Sequence, residues 1–136
     1  MAEFDVSGNW DAHQSNGFIV NFDIQQTGTM LRGVATHSGG SVRGTVEGSV
    51  HNNQFRVSVR WNNGTIGEYN GTFNSTGRIT GMTFDGNHPG SQATWASFQT
   101  FSQHSAPSTV TIGFYLFFSI ILLFVLLRRG KNWKSN

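Results

Sequence analysis

The side chains best suited to acid–base or metal chemistry are His13, His37, His51, His88 and His104, with Asp5, Asp11, Asp23, Glu47, Glu68 and Asp85. No two of the histidines stand at a metal-ligand spacing, and no H-E-x-x-H pattern occurs. His13 and His37 could meet only if the chain folded so that its first and third strands brought them together. The carboxylates sit among polar strand and turn residues, where solvated faces explain them, and nothing in their spacing demands an acid and a base facing one another across a cleft. G-x-S-x-G, P-loop and Rossmann fingerprints are missing as well. The sequence has no cysteine, which removes thiolate catalysis and cysteine-held zinc or iron–sulfur centres. The reading is therefore no catalytic residue, no metal and no cofactor, and a protein that is not an enzyme. Asn63-Gly64-Thr65, Asn70-Gly71-Thr72 and Asn74-Ser75-Thr76 fit the N-glycosylation pattern, but they are also ordinary hairpin and strand composition.

Aromatic residues offer a different chemistry. Trp10, Trp61, Trp95 and Tyr69, with phenylalanines on alternating positions, could enclose a small molecule inside a barrel. They could equally fill that interior with side chains, and a filled barrel is the expectation.

The elements that position these residues are strands. Between residues 6 and 101 short segments alternate apolar and polar positions: Phe18, Val20, Phe22 and Ile24 in one, Phe55, Val57, Val59 and Trp61 in another. This period of two marks strands with one buried face. Eight are expected, at 6–13, 18–26, 30–37, 41–50, 54–61, 65–73, 78–85 and 93–101. Asn- and Gly-rich breaks such as Ser15-Asn16-Gly17, Asn62-Asn63-Gly64 and Asn87-His88-Pro89-Gly90 suit tight hairpins, because these residues tolerate positive φ. Connections this short leave no room for crossover helices, so sequence neighbours pair antiparallel. The fold class is all-β, an eight-stranded antiparallel up-and-down barrel, with closure removing the free sheet edges.

Gly8-Asn9-Trp10 opens the first strand as G-x-W. FIVNFDIQQTG and MLRGVATHS follow as strand, hairpin and glycine-bearing strand, and VSVRWNNG, GEYNGTF, GRITGMTF and QATW continue the series. This pattern resembles the avidin and lipocalin barrels of the calycin type. The resemblance implies a tryptophan plugging one end of the barrel and, from avidin-like proteins, a biotin site built from polar groups of the first three strands and from tryptophans. Carried onto this chain, the ligand-binding residues are Trp10, Ser15, Trp61 and Trp95. Asp11 and Ala12 stand where the family has an asparagine, and Ala35 where it has a tyrosine, so the likeness reaches the fold further than the ligand.

Residues 110–127, VTIGFYLFFSIILLFVLL, form an unbroken uncharged run, and a helix of about 18 residues rises roughly 27 Å, enough to span a thin bilayer. The expected organisation is a barrel domain at 1–102, a linker at 103–109, a transmembrane helix at 110–127 and a basic tail at 128–136. Arg128, Arg129, Lys131 and Lys134 in that tail attract anionic headgroups and Trp133 suits the interface. All the acids precede the run, so the high overall pI of about 9.5 comes from this cluster, and nucleic acid is not an expected partner. Phe114, Tyr115, Phe117, Phe118 and Phe124 present bulky surfaces for lipid, protein, pigment or quinone. No export signal is visible at Met1–Trp10, which places the barrel on the cytoplasmic side of a single-pass, tail-anchored protein, although the basic tail alone would argue for the reverse. The leading functional expectation is an accessory subunit that docks its barrel on a larger membrane complex, respiratory or photosynthetic. The alternative is a membrane-tethered barrel that binds a small ligand.

Overall fold

Alternating apolar residues along the chain give eight consecutive strands in a computed structural model, which describes residues 3–104. The strands are β1 (Gly8–Gln14), β2 (Ile19–Thr27), β3 (Met30–His37), β4 (Val42–His51), β5 (Gln54–Trp61), β6 (Ile66–Phe73), β7 (Arg78–Asp85) and β8 (His88–Thr100). Each pairs antiparallel with its sequence neighbour, and β8 returns to β1 to close the barrel. Residues 105–136 lie outside the described part, and with them the readings placed on the linker, the apolar run, the basic tail and Phe114, Tyr115, Phe117, Phe118 and Phe124. Among the described residues no helix is long and apolar enough to cross a membrane.

The strand alternation is realised except at Phe18, expected on the inward face with Val20, Phe22 and Ile24, which precedes β2 and is 50% exposed at the barrel mouth. Val20, Phe22 and Ile24 of β2 and Phe55, Val57 and Val59 of β5 are all buried, whereas Asp23, Arg56 and Arg60 between or beside them are exposed. Burial of this kind contributes about 1.5–3 kcal/mol for each large apolar side chain. Two boundaries differ from the sequence expectation by more than one residue. The chain enters β1 only at Gly8, which turns with φ of 108°, so Val6 packs in the core without belonging to the ladder. β8 starts at His88, five residues early, because Asp85 pairs with His88 across a tight turn and Phe84 then pairs with Gln92. Pro89-Gly90-Ser91 consequently form an irregularity within the strand instead of the turn itself, a setting in which proline loses no ladder hydrogen bond.

Even-numbered and odd-numbered strands run in opposite directions, so the hairpins gather at two ends. One end is sealed. Phe4 stacks on Phe73 with ring centroids 3.8 Å apart, and Trp10 lies edge-on to Phe101 at 5.0 Å and to Phe55 at 5.7 Å. The Trp10 indole donates to the Val6 carbonyl at 2.9 Å, which satisfies its one polar atom inside the core. Glu3–Asp5 and Gln103–His104 clasp across this end: Phe4 bridges Gln103, Asp5 N–H donates to the Ser102 carbonyl, and His104 N–H donates to the Glu3 carbonyl. Gln103 and His104, assigned to the linker from sequence, are thus held against the barrel.

The interior accommodates the Trp95 indole because a glycine faces it. A methyl group on Gly71 would sit 3.0 Å from Trp95 Cζ2 and 2.6 Å from Ile79 Cγ2, closer than carbon atoms pack. Trp95 therefore occupies space that any other residue at position 71 would contest.

Candidate functional site

At the end opposite the clasp the barrel is open. The strand termini Gln14, His37, Trp61 and Asp85, the start of β2 and the hairpin residues Asn16 and Asn63 surround a cavity of about 300 Å³, at the lower end of the range for small-molecule pockets. Its depth is limited from below. Tyr69 and Val20 line it, and beneath them Phe22, Phe55, Trp10 and Trp95 fill the interior as a continuous set of tilted and edge-to-face rings. The expectation of a filled barrel holds for this lower part and fails at the mouth, where the last inward position of each strand has no layer above it to pack against.

One side of the cup is aromatic. His37 lies between Phe18 and Trp61, with centroids 5.4 and 4.8 Å away and ring planes inclined at 69° and 76°. Trp61 keeps its place because Gly67 lies beside it; a Cβ there would meet Trp61 Nε1 at 2.9 Å. The rest of the lining mixes polar side chains, Gln14, Tyr69 and Thr83 among them, with Val20, Ile66, Phe84 and Ala93. Tyr69, only 3% exposed, donates its hydroxyl to Gln14 Oε1 at 3.2 Å. Burial pushes the Tyr69 phenol up to about 12, against a smaller opposing effect of its hydrogen bond with Thr83, so it remains a neutral donor at physiological pH.

The four residues carried over from the avidin-like resemblance separate. Trp10 and Trp95 are core residues, their indoles 6.5 Å apart, and Trp95 Nε1 donates to the Asn70 and Met82 carbonyls at 3.2 and 3.1 Å. Ser15 is engaged in structure: its Oγ accepts from Thr94 N–H at 3.0 Å and its own N–H donates to the Thr94 carbonyl at 2.8 Å, fastening the first hairpin to β8. Trp61 alone lines the cavity. Gln14, Phe18, His37, Tyr69 and Thr83 do so without having been singled out as ligand residues, except for Tyr69 as a general cavity aromatic. The signal that finds them is height: each lies at or near the strand end that the same set of hairpins brings together.

The histidines have other roles. His13 is on the outer face, 3.8 Å from Phe98, with β2 between its strand and that of His37. His51, His88 and His104 pair with Glu3, Asp85 and Asp5 at 3.2, 3.4 and 2.8 Å. Ser7 first and His104 second hold the Asp5 carboxyl at about 2, below its usual value. Among the described residues no group of three His, Cys, Asp or Glu side chains is placed to hold a metal ion.

Compared with known proteins, the sequence matches no family model and no curated relative. The likeness to calycin barrels therefore stands on the closed eight-stranded antiparallel meander and on the Trp10 plug within it.

Proposed function

We propose that this chain is a non-catalytic, membrane-tethered binding module that takes a small molecule into the open end of its barrel. The supporting observation is the asymmetry between the two ends: one is sealed by Phe4, Trp10, Phe73 and Phe101, and the other keeps a cavity lined by Trp61, His37 and Tyr69. A barrel serving only as a rigid spacer has no need of an open cup. Under this reading the run 110–127 anchors the module in lipid and Arg128, Arg129, Lys131, Trp133 and Lys134 lie against the headgroups. The test is a thermal-shift screen of the intact chain against chemically varied small molecules. A ligand at 100 times its dissociation constant adds about 2.7 kcal/mol, and its effect should vanish in Trp61→Ala. Saturable binding that survives Trp61→Ala would place the site elsewhere.

A second reading, an accessory subunit of a larger membrane complex, draws on a different observation. Ile19, Met82 and Phe98 are large apolar residues exposed near the β1–β8 seam, Phe98 at 64%. A protein partner could cover these positions, while the aromatic residues of the anchor would meet that complex, its pigments or its quinones within the membrane. Extraction in mild detergent separates the readings: co-migration lost in Phe98→Ser and Met82→Ser supports docking, and a chain that runs alone removes it.

A further inference from the structure

We propose that the ligand taken by the mouth is a single uncharged sugar ring, an inference that rests on the cup being a binding site. The first argument is charge. Among the described residues Asp85 is the only Asp, Glu, Lys or Arg in the lining, and its two oxygens already accept from Asn87 N–H at 2.9 Å and face His88 Nδ1 at 3.4 Å. The one basic side chain in the lining is the His37 imidazole, whose Nδ1 is 2.8 Å from Ser38 Oγ, so a carboxylate, phosphate or sulfate ligand would meet no permanently charged cation, which is costly in a partly desolvated cavity.

The second argument is the direction of the free hydrogen bonds. Gln14 Oε1 accepts from Tyr69, Asn16 Oδ1 from Phe18 N–H at 3.3 Å, and Asn63 Oδ1 from both the N–H and the hydroxyl of Thr65 at 3.1 and 2.7 Å. The fourth lining amide, Gln92, donates its nitrogen to the Pro89 carbonyl at 3.3 Å and keeps its oxygen as an acceptor. With the other three oxygens engaged, the Gln14, Asn16 and Asn63 amide nitrogens remain as donors without a partner among the described residues. Together they favour a neutral ligand whose edge is rich in oxygen acceptors.

Shape supplies the third. The Phe18 and Trp61 planes are each steeply inclined to the His37 ring between them, so neither forms a parallel slot with it for a flat heteroaromatic ring. The near-parallel pairs, Phe4 with Phe73 and Trp10 with Trp95, are in the sealed end and the interior. A long acyl chain is stopped by the packed rings beneath Tyr69. A pyranose has one apolar C–H face, which needs a single aromatic plane, and a rim of oxygens, which needs donors opposite. The cup offers both, aromatic rings at Phe18, His37 and Trp61 and amide donors at Gln14, Asn16 and Asn63, and its volume of about 300 Å³ suits one ring.

The test uses the intact chain in lipid nanodiscs, because glycoside detergents would compete. Methyl glycosides of glucose, galactose, mannose and N-acetylglucosamine are titrated by calorimetry and saturation-transfer NMR, beside glucuronic acid, laurate and a flat dye, proflavine. At least one neutral glycoside should saturate and bind at least tenfold more tightly than glucuronic acid. Its affinity should drop at least tenfold in Trp61→Ala and fall in Asn16→Ala, an exposed loop change that leaves the fold intact. Trp61-dependent binding of laurate, proflavine or glucuronic acid in preference to every neutral glycoside overturns the sugar assignment and leaves the cup as a site. Binding of none of the panel at millimolar concentration overturns both.

Discussion

Replacing Gly71 by alanine sets two physical effects of opposite sign against each other. Alanine in place of glycine restricts the unfolded chain and on that account stabilises by about 0.4–1 kcal/mol. In the folded barrel, however, the new methyl group would lie 2.6 Å from Ile79 Cγ2, 3.0 Å from Trp95 Cζ2 and 3.1 Å from the Thr80 carbonyl oxygen. Carbon atoms prefer about 3.5–4.0 Å, and Trp95 has little room to retreat because its Nε1 is held by two carbonyls. Overpacking of a filled core costs about 1–3 kcal/mol. The balance is a net loss of about 1–2 kcal/mol, which in a domain of this size lowers the melting temperature by roughly 5–15 °C. Gly90→Ala is the control, since nothing lies within 4 Å of a Cβ there and its φ is not positive; it should melt unchanged or slightly higher. Thermal unfolding followed by tryptophan fluorescence reads both. A Gly71→Ala protein that melts at or above the parent temperature would refute the claim that glycine at this position makes room for Trp95.

Residues 1–106 produced alone should form a β-rich monomer, because the core is enclosed by the eight strands, and substantial helix by circular dichroism would contradict this. That fragment contains a single tyrosine, Tyr69, whose phenolate absorbance should rise near pH 12 and not near 10. Its elevated pKa stabilises the fold fully below pH 10, a contribution lost as pH climbs from 10 towards 12. Ser97→Ala should cost about 1–3 kcal/mol in denaturant melts, since the fully buried hydroxyl accepts from Ile79 N–H and donates to the Gln99 carbonyl. At the clasp, the stabilisation from the depressed Asp5 pKa is present above about pH 4 and is lost as pH falls towards 2. With more than a third of that carboxylate's side chain exposed, the effect should stay below about 1 kcal/mol, and Asp5→Asn should remove this part of the acid-limb slope.

Strand positions were legible because alternation is a local property: FIVNFDI and QFRVSVRW specify a buried face wherever they are placed. Pro89 misled because proline followed by glycine is a turn signal, whereas here an irregular stretch of β8 absorbs both. The cup was harder to read. Alternation says that Trp10, Trp61 and Trp95 all point inward, but not at what height along the barrel axis, and height decides whether a ring is covered or left at the rim. Ser15 illustrates the same gap, for its hydroxyl is at the correct end yet is committed to Thr94, a residue 79 positions away.

The ladder between β1 and β8 has three pairs, Ala12–Ser97, His13–Ala96 and Gln14–Trp95, supplemented by the Ser15–Thr94 hydrogen bonds and, at the clasp, by the Phe4–Gln103 bridge. Every other ladder joins sequence neighbours through a hairpin, so contact order is concentrated in this one short junction. During synthesis the first seven strands can assemble as an open sheet with β1 and β7 as exposed edges, and the cylinder cannot shut until β8 is made. Closure should accordingly be the slow step of folding and the period of greatest risk of edge-to-edge aggregation. A circular permutant that joins the clasped ends by a short peptide and opens the chain at Thr76 would turn the seam into a local connection. The closing junction then becomes the β6–β7 ladder, which carries seven pairs in place of three, so the closed barrel should reopen less readily than the parent while keeping the same mouth.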